Sequence, residues 1–351
     1  MNAVPGPPTD STTSAAALMA AGGPAILVEH LTKKFGEFTA DDDLNFTVKQ
    51  GEIFGILGPN GAGKSTLIRM ITTLIKPTSG RALVMGLDVV KRTARVRKEI
   101  GVIPQANTVD GDLTASESLD LYGRFYNMGR KDRKQRAAEL LESVGLTEWK
   151  DKTAGTYSGG MRRRLEIARG LINRPHVFIL DEPTTGLDPQ SRRVIWELLE
   201  GLRNQGDLTI LICTHYMDEA DRLCDRLAIV DKGKIAALGT PRELKASVPG
   251  QDTLTLQFMK EVDDSLLGAL KALPEVHAAG REEIHTVRII LSGDIVPLEG
   301  ITEIARSHDN KVRSVTLVEP TLEDVFIHYT GRGLRDSAGE TYTYAVPRMM
   351  R

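Results

Sequence analysis

Short unbroken apolar runs alternate along this chain with longer stretches in which apolar residues return every third or fourth position. The runs at residues 26–28, 53–57, 101–103, 177–180, 208–214 and 227–230 predict strands, as does the alternation of apolar and polar residues at 44–48. Leu67, Ile68, Ile71, Leu74 and Ile75 share one face of a helix, expected to end at Lys76, Pro77 and Gly80. Residues 112–150 are highly charged and mostly helical in pattern, and residues 162–171 read as another helix. Strands alternating with helices predict an α/β fold, with a mostly parallel sheet covered on both faces.

The pattern changes after Pro249 and Gly250. Strand signals at 253–258, 285–291 and 312–318 alternate with helix signals at 265–273, 298–307 and 321–329, which describes a small α+β domain. Residues 1–24, rich in Ala, Pro, Ser, Thr and Gly, are expected to be a disordered tail, and the polar residues 331–351 a flexible one. The expected division is therefore 1–24, 25–248, 249–330 and 331–351.

Composition narrows this picture little. The 351 residues suffice for two domains, and 41% apolar with 26% charged residues is ordinary for a soluble globular chain. A net charge of -2 gives no global attraction to nucleic acid or anionic lipid. The basic clusters at 162–164 and 130–136 lack interleaved aromatics and are expected to be solvated helix faces. Cys213 and Cys224 follow no disulfide or metal spacing and are expected to be reduced core thiols. No run reaches the roughly 18 to 20 apolar residues of a membrane span. The stretch at 15–28 is broken by Gly22, Gly23 and Pro24 and has no basic region ahead of it, so neither a span nor a secretory signal is expected there. Cytoplasmic placement follows as the expectation.

The chemistry concentrates in a few motifs. Gly58, Pro59, Asn60, Gly61, Ala62, Gly63, Lys64 and Ser65 satisfy G-x-x-x-x-G-K-[ST] between a strand and a helix, with Thr66 following into the helix. The glycines let successive backbone N–H groups converge on phosphate oxygens, and the helix N-terminus favours the anion. Lys64 would bind the β- and γ-phosphates and Ser65 would ligate Mg²⁺. Asp181 and Glu182 follow the apolar run 177–180, at the strand end where open α/β sheets bind ligands. Asp181 would hold Mg²⁺, and Glu182 would accept a proton from the attacking water or orient it.

Tyr157-Ser158-Gly159-Gly160-Met161 resembles the signature motif of the ATP-binding cassette (ABC) family, usually LSGGQ, with Tyr157 for Leu and Met161 for Gln. In that family, Ser158 and the glycine amides would cap the γ-phosphate held by a second, head-to-tail subunit. The resemblance continues in order. Gln105 looks like the Q-loop glutamine, which senses Mg²⁺ and connects to the membrane partner. Gly186-Leu187-Asp188 resembles the D-loop, His215 the switch histidine at the γ-phosphate, and Phe35 the aromatic that stacks on adenine. The resemblance implies a P-loop NTPase nucleotide-binding domain with a helical subdomain and a small C-terminal α+β domain. Its cofactors would be ATP and Mg²⁺. Its partners would be a second nucleotide-binding subunit, expected as a homodimer, and a separate transmembrane permease, without nucleic acid, and the chain would sit peripherally on the inner, cytoplasmic face of the cell membrane.

Residues 319–326 (EPTLEDVF), followed by Thr330-Gly331-Arg332, resemble the ending of drug-resistance and nodulation-type exporter ATPases, the daunorubicin-resistance type above all. Gly51-Glu52-Ile53-Phe54 and the stretch from Ile100 to Gln105 are similar to the same group. That likeness implies export of drug-like, lipid-linked or polysaccharide cargo. The C-terminal domain would regulate or brace the dimer, or alternatively recognise substrate or partner. The alternative reading is a soluble ABC-type ATPase acting on ribosomes or DNA. Such relatives carry two cassettes or a coiled-coil insertion, whereas this chain has one unbroken cassette and no sustained heptads. A nucleotide kinase would share the P-loop but not Ser158, Asp188 and His215.

Overall fold

Three strands without a single exposed residue form the middle of the fold: β3 (Ile53–Leu57), β7 (Val177–Asp181) and β8 (Thr209–Thr214). A strand buried on both faces needs a continuous apolar run rather than an alternating one, and these sequences supply it. In the computed structural model, which describes residues 22–203, 208–248, 253–291, 296–318 and 320–331, they belong to a six-stranded sheet. Its order is β10 (Lys234–Gly239), β9 (Arg226–Asp231), β3, β8, β7 and β6 (Ile100–Ile103). β3 runs parallel to β8 and β9, and β7 parallel to β8 and β6. Leu57 is level with Thr214, and Asp181 with Cys213. The parallel register therefore brings the C-terminal ends of three strands to one edge, where ligands of such sheets bind.

The strand signals at 26–28 and 44–48 do not join that sheet. They are the apolar portions of β1 (Ile26–Phe35) and β2 (Phe38–Val48), a hairpin in a separate antiparallel sheet ordered β2, β1, β4 (Ser79–Val84), β5 (Leu87–Asp88). Register shifts after Val28, Leu31 and Lys33 break the alternation of side chains, so the period-2 pattern vanishes just where the strands continue.

The helix after the P-loop also differs from expectation. α1 (Lys64–Ile71) stops well before Pro77: Thr73 takes a positive φ of 66°, and the N–H groups of Leu74 and Ile75 both turn back to the Arg69 carbonyl. Leu74, placed by the pattern on the buried face, is exposed. After α2 (Thr93–Glu99), the charged stretch at 112–150 forms α3 (Ala115–Phe125) and α4 (Arg130–Ser143). Thr114 and Glu117 close a reciprocal capping box at the start of α3. The remaining helices of this unit are α5 (Gly159–Gly170), α6 (Pro189–Arg203) and α7 (Met217–Leu223). Cys213 and Cys224 are both buried and free.

The chain divides into two compact units at Ala236 and Ala237. The second begins with α8 (Pro241–Ala246) and is built on an antiparallel sheet of order β12 (Val276–Glu283), β13 (Thr286–Leu291), β11 (Thr253–Phe258), β14 (Val312–Val318). Leu254, Leu256, Val287 and Ile289 on the sheet pack with Leu266 and Leu270 of α9 (Asp264–Lys271) and Ile301 and Ala305 of α10 (Leu298–Ser307). α11 (Leu322–Thr330), capped by Thr321 and Asp324, reaches back so that Tyr329 Oη donates to Ser247 Oγ at 3.0 Å. β12 was not expected: its sequence is small and polar and its residues mostly exposed, so it carries no apolar signal. The Pro249–Gly250 boundary and nearly all of both expected tails lie outside the described residues.

Candidate active site

Gly61 and Gly63 take φ values of 81° and 113°, which glycine alone adopts freely, and they curl the chain from β3 into α1. Lys64 folds back over this loop, its side chain 5% exposed and its amine donating to the carbonyls of Gly58 at 2.7 Å and Pro59 at 3.1 Å.

Three of the expected side chains meet on a fourth, Glu182. Gln105 Nε2 donates to its Oε2 at 2.9 Å, Lys64 Nζ stands 3.6 Å from Oε1, and His215 Nδ1 stands 3.1 Å from Oε1. Thr185 Oγ1 donates to Oε2 at 3.1 Å, a partner the sequence did not single out. Burial works to raise the Glu182 carboxyl, but His215, Lys64 and Thr185 outweigh it and hold the group below its ordinary value. Glu182 also has a φ of 50°, a left-handed conformation costly for a side-chain-bearing residue. Its N–H donates to the Cys213 carbonyl at 2.8 Å and its carbonyl accepts from Arg163 at 3.1 Å, which fix the turn.

Asp181 lies beside this cluster and is hydrogen-bonded to the Ser65 hydroxyl. Burial pushes its carboxyl up, and Oδ1 has no hydrogen-bond partner. An orphaned buried carboxylate oxygen beside the Ser65 hydroxyl, with the Gln105 amide held on the neighbouring Glu182, is a hard-oxygen donor set that suits Mg²⁺. A dication there would offset the cost of burying the charge.

Ser158, Gly159 and Asp188 form a separate, exposed surface, and no hydrogen bond or ion pair among the described residues joins them to the P-loop. Ser158 caps α5, its Oγ accepting from the Met161 N–H at 3.2 Å, and Asp188 Oδ1 accepts from the Ser191 N–H at 2.9 Å at the start of α6. Gly160 is required by packing, since a Cβ there would stand 2.6 Å from Ser191 Oγ. Tyr157, in place of the usual Leu, is buried and donates its hydroxyl to the Trp149 carbonyl at 2.6 Å. Phe35 sits at the tip of the β1–β2 hairpin, half-exposed, with Lys33 Nζ 5.0 Å from its ring centre. Directly across from it is the exposed Phe38, a second flat ring that sequence reading passed over.

The expectation of a solvated basic face at 162–164 fails at Arg163. That side chain is buried and donates to the carbonyls of Pro104, Pro183, Asp181 and Glu182 and to Glu166 at 2.8 Å. Glu166 in turn accepts from the Thr108 N–H at 2.6 Å, and Arg169 donates to the Thr108 carbonyl at 2.9 Å and to Tyr122 Oη on α3. The helical spacing 163, 166, 169 was the available signal. A second buried carboxylate, Glu219, accepts from Thr184 and Trp196 at 2.8 and 3.0 Å and braces the loop after Glu182.

Residues 42–185 match the family model described as ABC transporter, and residues 239–330 match the model for the C-terminal domain of DrrA1-3-like ATP-binding proteins. The chain is 40% identical over 311 residues to the daunorubicin resistance ATP-binding protein DrrA3 of Streptomyces coeruleorubidus, covering 88% of this chain and 96% of that one. The chain belongs to the ABC transporter family. The Nod factor export ATP-binding protein I of Ralstonia nicotianae is 40% identical over 315 residues, covering 89% of this ABC protein and 96% of the relative. A dimeric ATP-binding cassette solved in a post-hydrolysis state with ADP and phosphate superposes with a TM-score of 0.56 at 29% identity, over 61% of this chain and 98% of that one. The chain is accordingly an ATP-binding subunit of the ABC ATPase kind.

Proposed function

We propose that this ABC protein is the ATP-hydrolysing subunit of an exporter whose transmembrane permease is a separate chain. The meeting of Lys64, Gln105 and His215 on one buried Glu182, beside Asp181 and Ser65, is the observation that supports it best. In this reading the loop from Gly58 to Thr66 and Lys64 hold the phosphates, and Phe35 stacks on adenine. Ser65, Asp181 and Gln105 hold Mg²⁺, which when bound neutralises charge on the phosphates. Glu182 takes the proton of the attacking water, and His215 contacts the γ-phosphate side. Ser158, Gly159, Gly160 and Asp188 serve the site of a second copy, so that ATP joins two subunits head to tail. Residues 25–248 form the ATPase domain, and residues 249–330 an accessory domain that braces or regulates the dimer. The names of the relatives support export of drug-like or lipid-linked cargo.

A groove of about 630 Å³ between α3 and α4, floored by Leu121, Ala137 and Leu141 and rimmed by Asp120, Arg124 and Lys150, suits a short helix of the permease. Docking there would hold the chain peripherally on the inner face of the membrane. Glu182→Gln is expected to lower ATP turnover by roughly a hundredfold or more while nucleotide still binds in a titration. Substantial remaining turnover would remove Glu182 from the role of base. Purification from mild-detergent membranes should bring down a polytopic membrane protein in stoichiometric amount. Recovery with ribosomes or DNA instead would keep the ATPase and overturn the transporter.

A further inference from the structure

Asp41, on β2, is a fully buried carboxylate that no part of the chemistry above uses. Neither of its oxygens has a hydrogen-bond partner. It presses against the P-loop: a Cβ on Gly63 would fall 2.3 Å from Asp41 Oδ1 and 2.8 Å from the Ala40 carbonyl. Gly63 is the residue that caps α1, so the carboxylate and the phosphate cradle share one glycine.

The charges around it are engaged elsewhere. On its own strand, Asp42 pairs with Lys234 at 3.1 Å and Asp43 with His30 at 2.8 Å. Lys33, opposite it on β1, donates to the Lys76 carbonyl at 2.8 Å and lies over Phe35. On α1, Lys64 is turned to Gly58 and Pro59. On β8, the buried thiol of Cys213 is raised in part by the Asp41 charge. Burial alone pushes the Asp41 carboxyl up to about 7, with no ion opposing it. Anionic phosphate held on the P-loop amides adds negative charge beside the same glycine, against a carboxylate fully buried from solvent.

We propose that Asp41 couples nucleotide binding to proton uptake: as the phosphates seat on the P-loop, this carboxylate takes a proton from solvent and becomes a neutral carboxylic acid. Nucleotide then binds a site that is already neutral in mild acid, and above neutrality must draw in a proton. Affinity falls as pH rises, by up to about tenfold per unit until the value of the loaded state is passed. The proposal rests on nucleotide occupying the P-loop.

The test is calorimetric titration of the full chain with Mg²⁺ and a non-hydrolysable ATP analogue, in buffers of different ionisation enthalpy between pH 6.5 and 8.5. At the alkaline end the phosphates are fully ionised, and any proton exchanged by the ligand is common to wild type and variant. The wild type is expected to take up a substantial fraction of a proton near pH 8. Asp41→Asn should lose that fraction and bind roughly five- to tenfold more tightly than wild type at pH 8.5, the two converging near pH 6.5. Equal proton uptake by both proteins overturns the proposal. If the Asn variant fails to fold, Asp41→Val takes its place, and absence of uptake by the wild type at pH 8 overturns the proposal by itself. Failure of either protein to bind the analogue at any pH would overturn the P-loop reading beneath it.

Discussion

Asp41 and Glu182 are both buried carboxylates, yet their environments displace them in opposite directions. Glu182 is held low, so the stability it contributes is present above the unfolded value of 4.5 and is lost as pH falls through its folded value. Asp41 is raised from 3.8 to about 7, so the folded state holds its proton more tightly than the unfolded chain does. Stability is then greatest below 3.8, declines as pH rises toward 7, and stays at its reduced level above that. A rise of about three units corresponds to an upper bound on the order of 4 kcal/mol. Asp41→Asn is therefore expected to raise the melting temperature at pH 8 and to change it little at pH 4, as a pair of thermal melts would show; equal shifts at both pH values would exclude this account. Sequence reading passed over the residue because it stands in a run of three aspartates. Asp42 and Asp43 each find a partner at the surface, Lys234 and His30, and only Asp41 turns inward, in a strand whose register shifts erase the alternation that would have marked it.

At the scale of elements, α5 shows where a motif was legible and where it was not. Ser158, Gly159 and Gly160 were recognisable because the whole stretch that resembles the family signature lies at one helix start, and their role in capping follows from that start. The need for Gly160 has a second cause in another element: α6 comes so close that a methyl group meets Ser191. Gly160→Ala should cost roughly 1 to 3 kcal/mol in chemical denaturation, and Ser191→Gly should recover most of that loss in the double variant. A Gly160→Ala loss unchanged by Ser191→Gly would mean that the close approach is not its source. Arg163 was misread because a charge on an isolated helix points to water by default. Its burial depends on carbonyls at Pro104, Asp181, Glu182 and Pro183, brought together only when β7 and the segment after β6 lie side by side. The same limit hid β12, whose pairing with β13 supplies what its polar sequence does not announce. Patterns confined to one element could be read from the chain; those that need two elements in contact could not.

For the molecule as a whole, the exposed surface of Ser158, Gly159 and Asp188 makes no hydrogen bond or ion pair to the P-loop of its own chain among the described residues, which motivates the proposed dimer. With Glu182→Gln blocking turnover, ATP and Mg²⁺ should double the mass seen by light scattering, and Ser158→Arg should keep the protein monomeric while leaving ATP bound. A mass that is the same with and without ATP would argue against the shared site. The strand order also sets a schedule for synthesis. β3 carries the P-loop, yet its two neighbours in the sheet are β8 and β9, which begin at Thr209 and Arg226. At about 5 to 20 residues per second, on the order of 10 to 30 s pass on the ribosome between the making of β3 and the arrival of the first strand that can flank it. Throughout that interval Ile53, Phe54, Ile56 and Leu57 wait without a sheet. A nascent chain halted anywhere before β8 would hold every letter of the phosphate-binding motif and none of its grip, and would be a client for chaperones rather than a binder of ATP.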